Sequence, residues 1–113
     1  MSVGRRFYPP TESDIPMHGW RPYHDIHVER IRAHEKHDGN GDSMERKTFV
    51  DPSWMSVLVE EVGEVAKAIC DHRHLGAIAD PESLAAELRT ELIQVAAMAV
   101  AWIDAIDLRE VTR

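Results

Sequence analysis

The 113-residue chain has a single cysteine, Cys70, so no disulfide can form within it and a reducing compartment is its natural setting. Set in a helical apolar pattern, Cys70 is expected to be a small buried side chain. Cationic charge is also scarce: 13 Lys and Arg stand against 20 Asp and Glu, for a net charge of −7. The few basic residues are scattered beside acids. That pattern excludes a partner held by bulk electrostatics, whether a nucleic-acid polymer or a membrane surface, since both are polyanions that need a basic patch. Long hydrophobic runs are missing too, and the longest, Val95 to Ile103, is about half of what a membrane span needs. The N-terminal "MSVGRRFYPP" follows its two arginines with no apolar stretch, so it does not read as a secretory signal. By elimination the expected location is cytoplasmic. Aromatics make up only 6%, and no alternating apolar and polar run marks a strand.

What is present is a hydrophobic content of 43%, too high for a disordered chain. A chain of this length makes at most one domain, burying about two-thirds of its unfolded surface. Four of the six prolines fall within the first 22 residues, together with Gly4 and Gly19. Residues 1–22 are therefore expected to form an extended arm, with Phe7, Tyr8 or Trp20 available to pack on a partner, ahead of a helical domain at 23–113. "DIHVERIRAHEKH", Asp25 to His37, fits a first helix, stopped by the glycines of "DGNGD". Asp51-Pro52 and Asp80-Pro81 each place a capping acceptor before a proline, which is tolerated at the first helical position. Helix two is thus expected from about Pro52 to Asp71, and helix three from about Pro81 to Asp107, the latter about 40 Å long.

On helix two, Met55, Leu58, Val62, Val65, Ala66 and Ile69 fall on one side at the helical repeat. Glu60, Glu64, Lys67 and Asp71 line the other side, and Glu61 sits at the boundary. Helix three is apolar almost all the way round from Leu92 to Ile106, broken by Gln94 and Asp104. Such a helix must be covered on every side, which two companions from the same chain cannot easily do. The expected fold is all-α: three main helices per chain, with the bundle completed by oligomerisation as a homodimer or homotetramer.

Chemistry concentrates in the acids. Glu60 and Glu64 are four apart and Glu61 and Glu64 three apart, so their side chains are surface neighbours that repel one another. On helix three, Glu87, Glu91 and Gln94 lie along one stripe continued by Met98 and Trp102. Taken singly, each glutamate reads as part of a solvated face beside Lys67, Arg73 or Arg89. Taken together, two acidic stripes facing each other between packed helices would form an oxygen-only cluster of the type that binds hard divalent cations.

"EEVGEVAKAI", followed by "ELIQVAAMAVAWIDA" with 26 residues between Glu64 and Glu91, resembles the MazG-like branch of the all-α nucleoside triphosphate pyrophosphohydrolases. That family's signature is a Glu-x-x-Glu pair on one helix and a Glu-x-x-Asp pair on the next. Glu61 and Glu64 match the first pair, with Glu60 in front; Glu91 matches the second, and Gln94 stands where its Asp is usual. The resemblance covers about Trp54 to Asp107, and "ERIRAHEKHDGNG" fits the preceding helix and loop. It implies hydrolysis of a nucleoside triphosphate, often a deoxynucleotide, to the monophosphate and pyrophosphate. It further implies Mg2+, with Mn2+ as a substitute, held by Glu61, Glu64, Glu91 and Gln94, and Glu60 as candidate general base. An amide at position 94 brings no charge, so the cation would be held more weakly or one ion fewer would bind, unless Glu87 compensates.

Lys36, Arg32, Lys67 and Arg73 are the candidate contacts to the polyanionic triphosphate. Trp54, Trp102 or His37 could stack on a base, although aromatics at helical spacing commonly belong to a core. "HEKH" at 34–37 spaces its histidines three apart, not the four that a zinc-protease helix requires. No cysteine partners the histidines at zinc spacing either. "DGNGDS" opens like a calcium loop, but Ser43 and Phe49 occupy its glycine and bidentate-glutamate positions, which rules it out. Two rivals follow from the same residues. One is a nucleotide-binding or protein-interaction module whose catalysis was lost through Gln94. The other is a pyrophosphohydrolase of a phosphoribosyl nucleotide.

Overall fold

A computed structural model describes residues 19–38, 44 and 47–111, without the side chains of 38, 110 and 111. The expected arm up to residue 18 and the glycine loop at 39–43 lie outside the described residues. The fold is mostly α-helical, with α1 at Arg21–Asp38, α2 at Ser53–Asp71 and α3 at Pro81–Val111. Helix α1 starts about four residues before the expected Asp25, inside what was read as the arm. Pro22 there is compatible with a helix because the first turn has no intrahelical use for its N–H. Helix α3 continues past Asp107 to Val111, making it about 46 Å long.

The two Asp-Pro pairs punctuate as their chemistry requires. The Asp51 carboxylate accepts the Ser53 N–H at 2.8 Å, and that of Asp80 accepts the Ser83 N–H at 3.2 Å. Those backbone hydrogen bonds hold both carboxyls below their ordinary pKa. The stability they add is therefore present above the ordinary carboxylate range and lost as pH falls through the lowered folded values. Asp51 stands one residue further from its helix than expected, with Pro52 between it and Ser53.

Helices α2 and α3 form an antiparallel hairpin, which Trp54 opposite Trp102, Glu61 opposite Gln94 and His72 opposite Glu87 keep in register. Contrary to the expectation of no strand, their connection carries a short antiparallel pair, β1 at Arg73–His74 and β2 at Ala77–Ile78. The turn between them holds Leu75 at φ 51° and Gly76 at φ 83°. A two-residue turn with both central residues at positive φ is the type I′ geometry, which Asn-Gly satisfies and a leucine opposes. Leu75 is also 94% exposed, so it gains no burial in return. Leu75→Asn is expected to raise the stability by about 0.5–1 kcal/mol, read as a higher urea midpoint with an unchanged slope.

Helix α1 also packs on α3. Asp25 and Arg89 pair at 2.6 Å, and Arg30 and Asp104 at 2.6 Å, so α1 is clasped to α3 at two separate points. With both α1 and α2 packed on it, α3 is the central helix. Among the described residues the buried apolar side chains are Trp54, Ala68, Leu84, Ala97 and Ala101. The Trp54 and Trp102 rings stack at 6.1 Å, and their indole N–H groups donate to the Thr48 and Phe49 carbonyls, each at 2.8 Å. The two indoles thereby pin the approach to α2 against the hairpin.

The buried face of α2 is only partly the one its periodicity suggested, sharing Leu58 and Val65 with it. Trp54, Leu58, Glu61, Val65 and Ala68 turn inward, whereas Met55, Val62, Ala66 and Ile69 are exposed. Glu61 moves from the boundary to the middle of the packed face. Cys70, expected to be buried, is exposed as well.

Candidate functional site

Helix α2 presents Glu61 toward α3 because Glu61 lies one heptad from Trp54 and another from Ala68, and both of these are buried. Its opposite number is Gln94, one turn beyond Glu91 on α3. An amide whose oxygen faced these acids would set acceptor against acceptor, so the hydrogen-bond network assigns the nitrogen to that side. The Gln94 amide nitrogen then donates to Glu61 Oε2 at 3.1 Å and to Glu91 Oε2 at 3.0 Å. One neutral amide thus bridges carboxylates from two helices.

Burial, and after it the carboxylates of Glu60, Glu91, Glu64 and Glu29, push the Glu61 carboxyl above its ordinary pKa. The Arg32 guanidinium also lies within electrostatic reach of Glu61, but the net shift is upward. Among the described residues, no group of three or more His, Cys, Asp or Glu side chains stands ready to hold a metal ion. The donor chemistry nevertheless suits a hard cation: the converging groups are oxygens, and their mutual repulsion has no cationic partner strong enough to reverse it.

Glu60, Glu61 and Gln94 border a cleft of about 390 Å³. This is the size of a small-ligand site. Helix α3 forms its floor, where Ala97, Met98 and Ala101 leave space by being small or unbranched. Helix α1 supplies the facing wall, including Arg32, His34, Lys36 and His37. The cleft therefore has an acidic edge on α2, a cationic and imidazole wall on α1, and an apolar floor.

Of the residues singled out from the sequence, Glu60, Glu61, Gln94, Arg32 and Lys36 come together around this cleft. Glu91 reaches it only through Gln94, and Glu64 is exposed on α2 without lining it. Lys67 and Arg73 are not part of the lining. Lys67 forms an ion pair with Asp71 at 2.6 Å one turn along, and Arg73 is exposed in β1. Glu87, considered as a substitute ligand, meets the His72 ring at 2.6 Å and so braces the far end of the hairpin. Trp54 and Trp102 stack on each other and are not offered to a base, while His37 does border the cleft.

Sequence reasoning missed Glu29. Its carboxylate takes the Arg32 Nε–H at 2.9 and 3.0 Å while lying in the cleft wall within electrostatic reach of Glu61. The only local signal was its spacing of three from Arg32, which reads as an ordinary surface pair. Met98 was noted on the Glu91 stripe but not as cleft floor. Compared with protein-family models, with curated proteins and with solved structures, the chain matches none.

Proposed function

We propose that this protein is a Mg2+-dependent nucleotide pyrophosphohydrolase, converting a nucleoside triphosphate to the monophosphate and pyrophosphate. The observation that carries the reading is Glu61. It is a half-buried carboxylate on a packed helix face, raised in pKa by burial and by neighbouring carboxylates, at the edge of a cleft whose opposite wall carries Arg32 and Lys36. A carboxylate kept in such a place costs stability, and that cost is typical of a functional group.

Glu61, Glu64, Glu91 and the amide oxygen of a turned Gln94 would hold the cation, which supplies charge neutralisation of the triphosphate and a more acidic water. Lys36 and Arg32 bind the polyphosphate from the α1 wall, Arg32 by a guanidinium only partly satisfied by Glu29. Glu60, exposed at the cleft edge, takes the proton of the attacking water. The water oxygen forms a new P–O bond, the bond bridging the α and β phosphates breaks, and pyrophosphate leaves with the electron pair.

The assembly belongs to the same proposal. Met55, Val59, Val62 and Ile69 form a continuous exposed stripe on α2, each 39–58% accessible, and Leu92 and Ile103 share one on α3. Apolar stripes of this length mark an interface, and a second copy of the chain is the occupant proposed here. Sedimentation should show a dimer or tetramer; a compact monomer at micromolar concentration would overturn that part.

A binding module without turnover is the second reading, because the Gln94 amide satisfies Glu61 and Glu91 with no cation present. A panel of canonical and modified triphosphates, with phosphoribosyl nucleotides alongside, separates the two when incubated with Mg2+. Pyrophosphate, not orthophosphate, is expected as the product, and the preferred member identifies the base and sugar. No nucleotide turned over at an enzyme-like rate would leave the binding module standing and sink the hydrolase.

A further inference from the structure

We infer that Gln94 is a positioning residue: in the cation-free protein its amide ties α2 to α3 by bridging Glu61 and Glu91, and a divalent cation binding there must displace that bridge. The cation half of this inference rests on the hydrolase reading; the bridge itself does not.

The geometry is specific. Glu61 and Glu91 come from different helices, yet both place an Oε2 within 3.1 Å of the same end of the Gln94 amide, the end that the hydrogen-bond network assigns to nitrogen. An amide nitrogen has two N–H groups, so it can serve both carboxylates at once, and each bond is charge-assisted. Two alternatives at 94, an aspartate and an apolar side chain, do worse. An aspartate would set a third carboxylate against two that already repel, and an apolar residue would leave both partly desolvated acids without a donor. Glutamine is thus the residue that lets the antiparallel hairpin close without a cation. The departure from Glu-x-x-Asp has a structural use.

The same side chain suits the cation-bound state. The torsion that carries the amide is broad and roughly two-fold, so a half-turn exchanges the donor for the carbonyl oxygen at little intrinsic cost. That oxygen can join Glu61 and Glu91 on a hard cation. The two N–H bonds must first be given up. Relative to an aspartate at 94, the wild-type site should therefore bind its cation more weakly while keeping its two carboxylates in place beforehand.

The test compares wild type, Gln94→Met and Gln94→Asp by thermal melting after exhaustive EDTA dialysis and by Mn2+ titration followed through the free-ion EPR signal. Met keeps the length of the side chain and removes the bridge. Both variants should melt about 5 °C lower than wild type when free of metal. Gln94→Asp alone should recover on adding Mn2+, binding it about tenfold more tightly than wild type. Adding Glu61→Gln should shrink the melting loss caused by Gln94→Met, because one arm of the bridge is then already altered.

Unchanged metal-free melting of Gln94→Met overturns the bridge. Mn2+ binding no tighter in Gln94→Asp than in wild type overturns the competition. Should no variant bind Mn2+ while Gln94→Met still melts low, the bridge stands and the metal site fails together with the hydrolase reading.

Discussion

Glu61→Gln is expected to lower nucleotide turnover by about a thousandfold while leaving the metal-free protein as stable as wild type or more so. The two halves have one cause. Glu61 sits in the packed α2–α3 face, where burial and four surrounding acids disfavour its charge. Its folded pKa is raised, so the proton it retains stabilises the fold at low pH, and that contribution is lost as pH rises through the raised value. Replacing the carboxylate by an amide of the same shape removes the repulsion at neutral pH and leaves an oxygen to accept from Gln94. Turnover suffers because the proposed chemistry needs a charged ligand at this position. Losing one such ligand is worth several kcal/mol of transition-state stabilisation, or about three powers of ten. The checks are pyrophosphate release under saturating Mg2+ and a urea melt in EDTA. A variant that keeps more than about a tenth of wild-type turnover would remove Glu61 from the site; one that unfolds would show the carboxylate to be structural.

The existence and order of the three helices were readable from the chain because their signals are local. Asp51-Pro52 and Asp80-Pro81 are capping chemistry within a few residues, and their carboxylates accept the Ser53 and Ser83 N–H groups, where such chemistry puts the donors. The early start of α1 was not readable, since Pro22 is equally at home in an extended arm and in a first helical turn. Nor was the hairpin at 73–78, whose strands are two residues each and whose turn begins with Leu75, a residue that argues against the geometry it adopts.

The rotation of α2 is more instructive. Its sequence carries two apolar stripes that share Leu58 and Val65, one completed by Trp54 and Ala68 and the other by Met55, Val62, Ala66 and Ile69. Periodicity alone prefers the second, which has no acid in it. The tertiary structure chooses the first, because Trp54 is the largest apolar side chain of the helix and finds Trp102 opposite. That choice draws Glu61 inward. The acids of α2 could be read as neighbours from their spacing, but the α1 wall could not, because Arg32 and Lys36 face Glu60 and Glu61 only across a cleft between separate helices.

Trp54→Ala is the substitution expected to cost most stability, about 3–5 kcal/mol. Trp54 is fully buried at 0% exposure and is the only large side chain so enclosed among the described residues. Its loss would remove the stack on Trp102 and the 2.8 Å indole donor to the Thr48 carbonyl, which keeps only the Asp51 N–H at 3.0 Å, and would open a cavity at the open end of the hairpin. A domain of this size has about 5–15 kcal/mol in total, and few other buried side chains exist to take up the strain. The variant should be partly unfolded at 37 °C. Trp54→Phe keeps most of the volume but not the N–H, so about 1–2 kcal/mol is expected, near the value of one buried hydrogen bond. Because Trp54 and Glu61 share the packed face of α2, the alanine variant should also lose whatever turnover the cleft supports, and added substrate with Mg2+ should restore part of it by mass action. Urea titrations followed by far-ultraviolet circular dichroism decide the matter. A cost below about 1 kcal/mol for the alanine would mean that α2 presents a different face to α3 in solution, and would take Glu61 out of the packed interface with it.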